Sequence, residues 1–141
     1  MIADSRIAGL MSAEVDMFIK SHPRSQEEST RSQSSLLAGV PMPWMKRWAG
    51  PFPVIADKAV GGSIVDIDGN TYVDFCLGDT GSMTGHSPDA TVAAIREQAG
   101  KGITAMLPTA DAAIVSAELA ARFGLPLWQF TVSATDANRH V

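Results

Sequence analysis

A hydroxyl, a small residue, a second hydroxyl and a carboxylate stand in a row at Ser133-Ala134-Thr135-Asp136, followed by Ala137 and Asn138. A short polar turn that opens a helix points unpaired backbone N–H groups at one place, with the two hydroxyls beside them. The ligand that suits such a group is an anion, above all a phosphate. Each charge-assisted hydrogen bond is worth roughly 1.5–3 kcal/mol, and the helix end adds about 0.3–1 kcal/mol. A few of them hold a phosphate monoester. The same residues also suit a plainer task, with Ser133 or Thr135 capping its own helix, and spacing alone leaves both readings open.

A second stretch has the composition of a ligand-lining loop. Gly78, Gly81 and Gly85 alternate with Asp79, Thr80, Ser82 and Thr84, so the backbone can turn sharply or approach a ligand without a Cβ in the way. His86 directly precedes a helix start and reads as structural. His22, His86 and His140 are isolated from one another and from the single Cys76, so no metal spacing is present.

The elements that must position these residues follow from periodicity. Ile7, Leu10, Met11, Val15, Phe18 and Ile19 recur at helical spacing over 5–20 and make an amphipathic helix with one face to dock. Residues 21–35 are rich in Ser, Gln, Glu and Arg without an apolar stripe and read as an exposed helix, a mobile connection being the alternative. Pro41, Pro43, Pro51 and Pro53 then punctuate an extended passage in which Trp44, Met45 and Trp48 offer area to bury. Residues 63–67 and 71–75 flank Asp68-Gly69-Asn70, a turn that favours a β-hairpin.

Ser87-Pro88-Asp89 reads as a capped helix start, with Val92 and Ile95 on the buried face. A second helix starts near Thr109 and ends at Gly124. Residues 127–132 are apolar and aromatic and read as a short buried strand feeding the polar turn. The fold class is therefore α/β with a small β-rich attachment. A final strand without partners, and a helix broken at Val141, lead us to expect a truncated chain.

Composition excludes some classes of function. The chain has 141 residues, 45% hydrophobic and 18% charged, with a formal net charge of -4; no basic surface invites nucleic acid. Asp4, Glu14 and Asp16 interrupt the N-terminus, so no signal peptide is expected. No run approaches the roughly twenty apolar residues of a membrane span. A soluble, cytoplasmic protein without a disulfide or metal site is expected.

The row 133–138 resembles the Ser-Gly-Thr-Glu-Ala-Asn phosphate-binding element of class III pyridoxal-phosphate aminotransferases, the group that includes glutamate-semialdehyde aminomutase and β-amino acid transaminases. Gly50-Pro-Phe-Pro53, Asp66-Ile-Asp-Gly-Asn-Thr-Tyr-Val-Asp-Phe75, Gly85-His-Ser-Pro88 and Leu107-Pro-Thr109 resemble the family's early landmarks in the same order. The ordered set, covering about residues 45–141, carries the specificity. Two positions depart from the pattern: Ala134 stands for glycine and Asp136 for glutamate.

The resemblance implies the N-terminal part of a fold type I enzyme: a helical arm at 1–40, a small β-rich segment with the hairpin at 41–84, and the start of the large α/β domain at 85–141. It implies pyridoxal 5'-phosphate as cofactor, a homodimer, and transfer of an amino group between an amino donor and a keto or aldehyde acceptor, aminomutation being a variant. Ala134 and Thr135 would donate backbone N–H groups to the cofactor phosphate, assisted by the hydroxyl of Ser133 or Thr135. Asp79 falls where the family lines its substrate pocket, and Trp44 aligns with a segment that reaches the substrate; a turn cap and simple packing are their respective alternatives.

Such chemistry needs a lysine that carries the cofactor covalently and moves a proton. Lys20, Lys46, Lys58 and Lys101 lie outside the corresponding context, so no catalytic residue is assigned in this chain and the chain alone is expected to be inactive. A non-catalytic binding or dimerisation module, or a small nucleotide-binding α/β domain, are the competing readings.

Overall fold

Two helices lead the chain, α1 (Asp4–Ser21) and α2 (Pro23–Ser32), in a computed structural model that describes residues 4–141. The chain divides into two units, Met1–Ile95 and Arg96–Val141.

In the first unit α1 follows its apolar spacing, but only its second half docks: Val15, Phe18 and Ile19 are half-buried, whereas Ile7, Leu10 and Met11 remain exposed. Pro23 opens α2, where a missing N–H costs nothing. The expectation of an exposed helix is corrected in part. Ser25 and Ser29 are buried, because the helix turns a polar face, invisible to a search for apolar stripes, toward the hairpin turn at Asp68 and the loop at Gly39.

Short 3-10 turns at Leu37–Gly39 and Pro43–Arg47 carry the chain through the proline-rich passage. The packing expected there is only partial. Trp44 and Trp48 meet edge-on at 5.3 Å, and each remains about half exposed, at 49% and 55%.

The sheet is a meander of β1 (Ala56–Val60), β2 (Ser63–Asp66) and β3 (Thr71–Val73), antiparallel throughout. The β2–β3 hairpin pairs Ile64 with Tyr72 and Val65 with Thr71, and Gly69 takes the positive φ of 91° that its turn needs. Strand β1 was not anticipated. Its sequence, Ala-Asp-Lys-Ala-Val, lacks alternation, and pairing with β2 decides it.

Among the described residues Val40 is the one buried apolar side chain, while His22, Ser25, Ser29 and Asp66 are buried polar groups. Hydrogen bonds therefore tie α1 and α2 to the sheet where a larger domain would use an apolar core.

Helix α3 (Asp89–Ala99) begins two residues after Ser87, which does not cap it. Ser87 sits at φ 52° and donates its hydroxyl to the Ala59 carbonyl at 2.9 Å; the first helical acceptor is the carbonyl of Pro88. Val92 is half-buried but Ile95 is exposed, so the buried face expected for α3 is only partly covered.

In the second unit α4 (Ala110–Phe123) starts after Thr109 and stops at Gly124, left-handed at φ 70°, as its end signals indicate. Helix α5 (Ala134–Ala137) follows a segment without regular structure. The strand expected over residues 127–132 does not form, and Leu127 and Val132 are exposed. A strand exists through its neighbour, and no described segment pairs with this one. None of the described helices is long and apolar enough to cross a membrane.

Candidate functional site

Ser133, extended at φ -160° and ψ 159°, caps α5, its Oγ accepting the Asp136 N–H at 3.1 Å. The capping reading is thus realised, and it leaves donors to spare. The N–H groups of Ala134 and Thr135 meet no acceptor among the described residues, and the Ser133 hydroxyl, accepting here, keeps its own proton to donate. Thr131 closes the turn from the other side, donating to the Ser133 carbonyl at 3.1 Å. The carboxylate of Asp136 faces His140, Oδ1 lying 3.9 Å from Nε2. The turn is solvent-exposed, so these donors are open to solvent.

In the first unit the glycine loop is pinned at both ends. Asp74 accepts the N–H groups of Cys76 and Leu77 on Oδ1 at 2.8 and 2.9 Å, and its Oδ2 lies 2.6 Å from His86 Nε2. The bond to His86 holds the Asp74 carboxyl below the usual carboxylate range, with help from the two N–H groups. His86 also exchanges both backbone hydrogen bonds with Gly61, at 2.9 and 2.7 Å. Within the loop Leu77, Asp79 and Thr80 all take positive φ, 49°, 56° and 106°, a strained arrangement for residues with a Cβ. Asp79 is exposed and its Oδ1 accepts from Cys76 Sγ at 3.1 Å. Trp44 directs its Nε1–H to Met42 sulfur at 3.3 Å. No hydrogen bond joins Trp44 to Asp79 among the described residues.

Sequence reasoning missed a buried polar network. Asp66 accepts the Asn70 N–H on Oδ1 at 2.8 Å, and on Oδ2 the Tyr72 hydroxyl at 2.7 Å and the Asn70 side-chain amide at 3.0 Å. Burial raises its pKa, but these bonds outweigh it and hold the carboxyl at about 2. Tyr72 is pushed up to about 12 by burial and by the Asp66 carboxylate. His22 reaches the Tyr72 oxygen with Nε2 at 2.6 Å. Asp68, two residues on, takes the Arg24 and Ser25 N–H groups and the Ser25 hydroxyl at 2.7, 3.0 and 2.6 Å; Arg24 also donates to the Ile67 carbonyl. The only sequence signal was a pair of aspartates bracketing a turn.

Beside this network lies an open cavity of about 600 Å³ with Leu36, Val40, Met45, Trp48 and Ile64 on its walls and Tyr72 and Glu28 at its edge. None of the residues nominated from sequence lines it. Among the described residues no group of three or more His, Cys, Asp and Glu is gathered as a metal site would require.

No family model matches the chain. It is 34% identical over 118 residues to glutamate-1-semialdehyde 2,1-aminomutase of Thermoplasma acidophilum, covering 82% of this chain and 27% of that protein. It is 31% identical over 115 residues to the aminomutase of the same name in Methanocaldococcus jannaschii, covering 81% of this chain and 26% of that one. The chain thus spans little more than a quarter of the relatives it matches.

Among solved structures, a glutamate-1-semialdehyde aminomutase from Pseudomonas aeruginosa superposes with a TM-score of 0.89 at 47% identity, covering 99% of this chain and 31% of that one. A variant of that enzyme has been solved in complex with PMP. A β-phenylalanine aminotransferase from Variovorax paradoxus shares the fold at a TM-score of 0.84 and 23% identity. The order of landmarks, the hairpin and these likenesses agree: over about a third of their length the chain is homologous to class III, fold type I pyridoxal-phosphate enzymes, with glutamate-1-semialdehyde aminomutases among its relatives.

Proposed function

We propose that this chain is the N-terminal portion of a pyridoxal-phosphate enzyme that moves an amino group between an amino compound and a keto acid or aldehyde, aminomutation being the within-family variant. The carrying observation is the turn 133–135. Its spare N–H groups at Ala134 and Thr135, with the hydroxyls of Ser133 and Thr135, offer donors alone to an anion. The donor set therefore fits a phosphate monoester. The Ala134 methyl adds bulk where the family has glycine, on a turn that is exposed.

When bound, the cofactor supplies the electron sink for breaking bonds next to the amino nitrogen. The residues of this chain bind and orient. Ala134, Thr135 and Ser133 anchor the phosphate, while Asp79 and Trp44 meet the substrate, Asp79 with a carboxylate suited to a polar or cationic group. The strained glycine loop supports this reading, since such strain gathers where a loop must present a side chain.

The proton-moving lysine is not among the four in this chain. Lys20, Lys46 and Lys58 are exposed, and Lys101 is exposed and paired with Glu97 at 2.5 Å. None has the dry surroundings that activate a lysine amine. The chain alone is therefore inactive. The exposed Ile7, Leu10 and Met11 of α1 supply apolar area for a homodimer contact, and the single exposed thiol of Cys76 suits a reducing cytoplasm.

The test is an amide NMR titration of the chain with inorganic phosphate and then pyridoxal phosphate. Saturating shifts centred on Ala134 and Thr135 with both ligands support the anchor. Shifts confined to other residues refute it.

A further inference from the structure

Arg6, Ile7, Leu10, Met11 and Glu14 line one open hollow on the N-terminal half of α1. All five are exposed, and Ile7, Leu10 and Met11 keep 52%, 60% and 63% of their surface in solvent. The other half of the helix is engaged. Val15, Phe18 and Ile19 are half-buried, and Phe18 packs on His22 and Phe52 of its own unit. Helix α1 therefore docks with one half and holds out an apolar strip with the other.

The strip carries a charge pattern. Arg6, Leu10 and Glu14 stand four residues apart along one ridge of the helix, a cation and a carboxylate at equal distances on either side of a leucine. The two charges are about 12 Å apart along the axis, too far to pair with each other. Three and four positions from Arg6 the sequence has Ile2, Ala3, Gly9 and Leu10, and from Glu14 it has Leu10, Met11, Met17 and Phe18. Neither charge thus finds a counter-charge on its own helix. None of the salt bridges among the described residues includes either one.

We infer that the N-terminal half of α1 is a self-complementary surface that pairs antiparallel with α1 of a second copy of this chain, the twofold axis passing at Leu10. Reversing one helix against the other about Leu10 sets Arg6 of each copy opposite Glu14 of the other, so the apolar strip is closed at both ends by opposite charges. Leucine meets leucine at the centre, with Ile7 and Met11 beside it. A parallel pair in register sets arginine against arginine and glutamate against glutamate, and such like-charge pairs are destabilising. The antiparallel order also opposes the two helix dipoles. A strip of five side chains falls short of the roughly 800 Å² per partner of a stable interface, so association is weak, with a Kd on the order of 0.1–1 mM. The inference gives residues and an orientation to the homodimer contact of the proposed function, and it rests on that reading for the second copy.

The experiment is sedimentation equilibrium of the 141-residue chain up to about 1 mM at low salt, with helix content followed by circular dichroism. The expected result is a reversible monomer–dimer equilibrium that weakens as salt is added. Arg6→Glu and Glu14→Arg each turn two attractions into two repulsions, and each should weaken the dimer about tenfold. Mixing the two variants in equal amounts should restore it, and so should both substitutions in one chain, because either arrangement again brings opposite charges face to face. Both positions are exposed and both introduced residues are good helix formers, so helix content should not change. A chain that stays monomeric to about 1 mM overturns the inference, the strip then taking another occupant, further polypeptide included. A dimer indifferent to both single substitutions overturns it too, as does a mixture no tighter than its components. Pyridoxal phosphate is absent throughout, so failure here leaves the phosphate anchor standing, and failure of the anchor leaves the pairing standing.

Discussion

Asp68 caps a helix to which it does not belong. Its carboxylate takes the free N–H groups of Arg24 and Ser25 and the hydroxyl of Ser25 at 2.6 Å, across 43 residues of sequence. Helix α2 has no cap of its own, since His22 makes none, and the hairpin turn supplies it. One contact thereby fixes both where α2 begins and how the hairpin sits beneath it.

Ser25→Ala is therefore expected to cost about 1–2 kcal/mol, because the buried hydroxyl links Asp68 to the Ile55 N–H, which lies 3.4 Å away. Urea unfolding measures it. A change within about 0.5 kcal/mol, the scatter of ordinary surface substitutions, would show that the cross-chain cap carries no weight.

Acid should loosen the first unit through its aspartates. Asp66 titrates at about 2 against an ordinary 3.8, and Asp68 and Asp74 are lowered as well. A depressed folded pKa gives stability that is present above the ordinary value and lost as pH falls through the folded one. Melting temperature should hold above about pH 4 and drop steadily toward 2. In alkali the sign reverses: Tyr72, raised from 10.0 to about 12, gives stability present below 10 and lost as pH climbs through 12. A melting temperature flat down to pH 2 would contradict the acid arm.

Glycine positions should differ sharply in tolerance. Gly124 ends α4 at φ 70° with open space around it, so Gly124→Ala should cost only the left-handed penalty of about 1–2 kcal/mol. At Gly85 a Cβ would stand 3.2 Å from the Gly61 backbone, which is held by its two bonds to His86. Gly85→Ala should cost more than Gly124→Ala and raise amide exchange at Gly61 and His86. Equal costs would mean that the Gly61–His86 bridge yields freely.

Strain in the glycine loop is testable in the stabilising direction. Thr80 holds φ 106°, where only glycine is at ease, so Thr80→Gly should gain about 0.5–1 kcal/mol despite the entropy that glycine adds to the unfolded chain. Denaturant midpoints report it, and a loss would show that the threonine side chain makes a contact worth more than the strain.

How far the sequence led can be seen element by element. The hairpin was readable because Asp68-Gly69-Asn70 carries its own turn chemistry, and α4 because Thr109 and Gly124 mark its ends. Such signals are local. Strand β1 has no pattern of its own, and the apolar residues 127–132 would need a neighbour that no described segment provides. The hydrogen-bond network of His22, Tyr72 and Asp66 joins residues up to 50 apart, so nothing in the composition of either segment announces it. In the polar turn, Ser133 and its helix start were legible from residue types, while the N–H groups of Ala134 and Thr135 were singled out by the family resemblance, and the backbone path leaves them without an acceptor among the described residues.

We propose that the chain holds the cofactor's phosphate anchor without the lysine that carries the cofactor. Reduction of the 141-residue chain with borohydride in the presence of pyridoxal phosphate, followed by mass-spectrometric mapping, tests it most directly. The expected result is scattered, substoichiometric labelling shared among Lys20, Lys46, Lys58 and Lys101. Stoichiometric labelling of any one of them would contradict the account, because that lysine would then be serving as the cofactor's covalent partner within this chain.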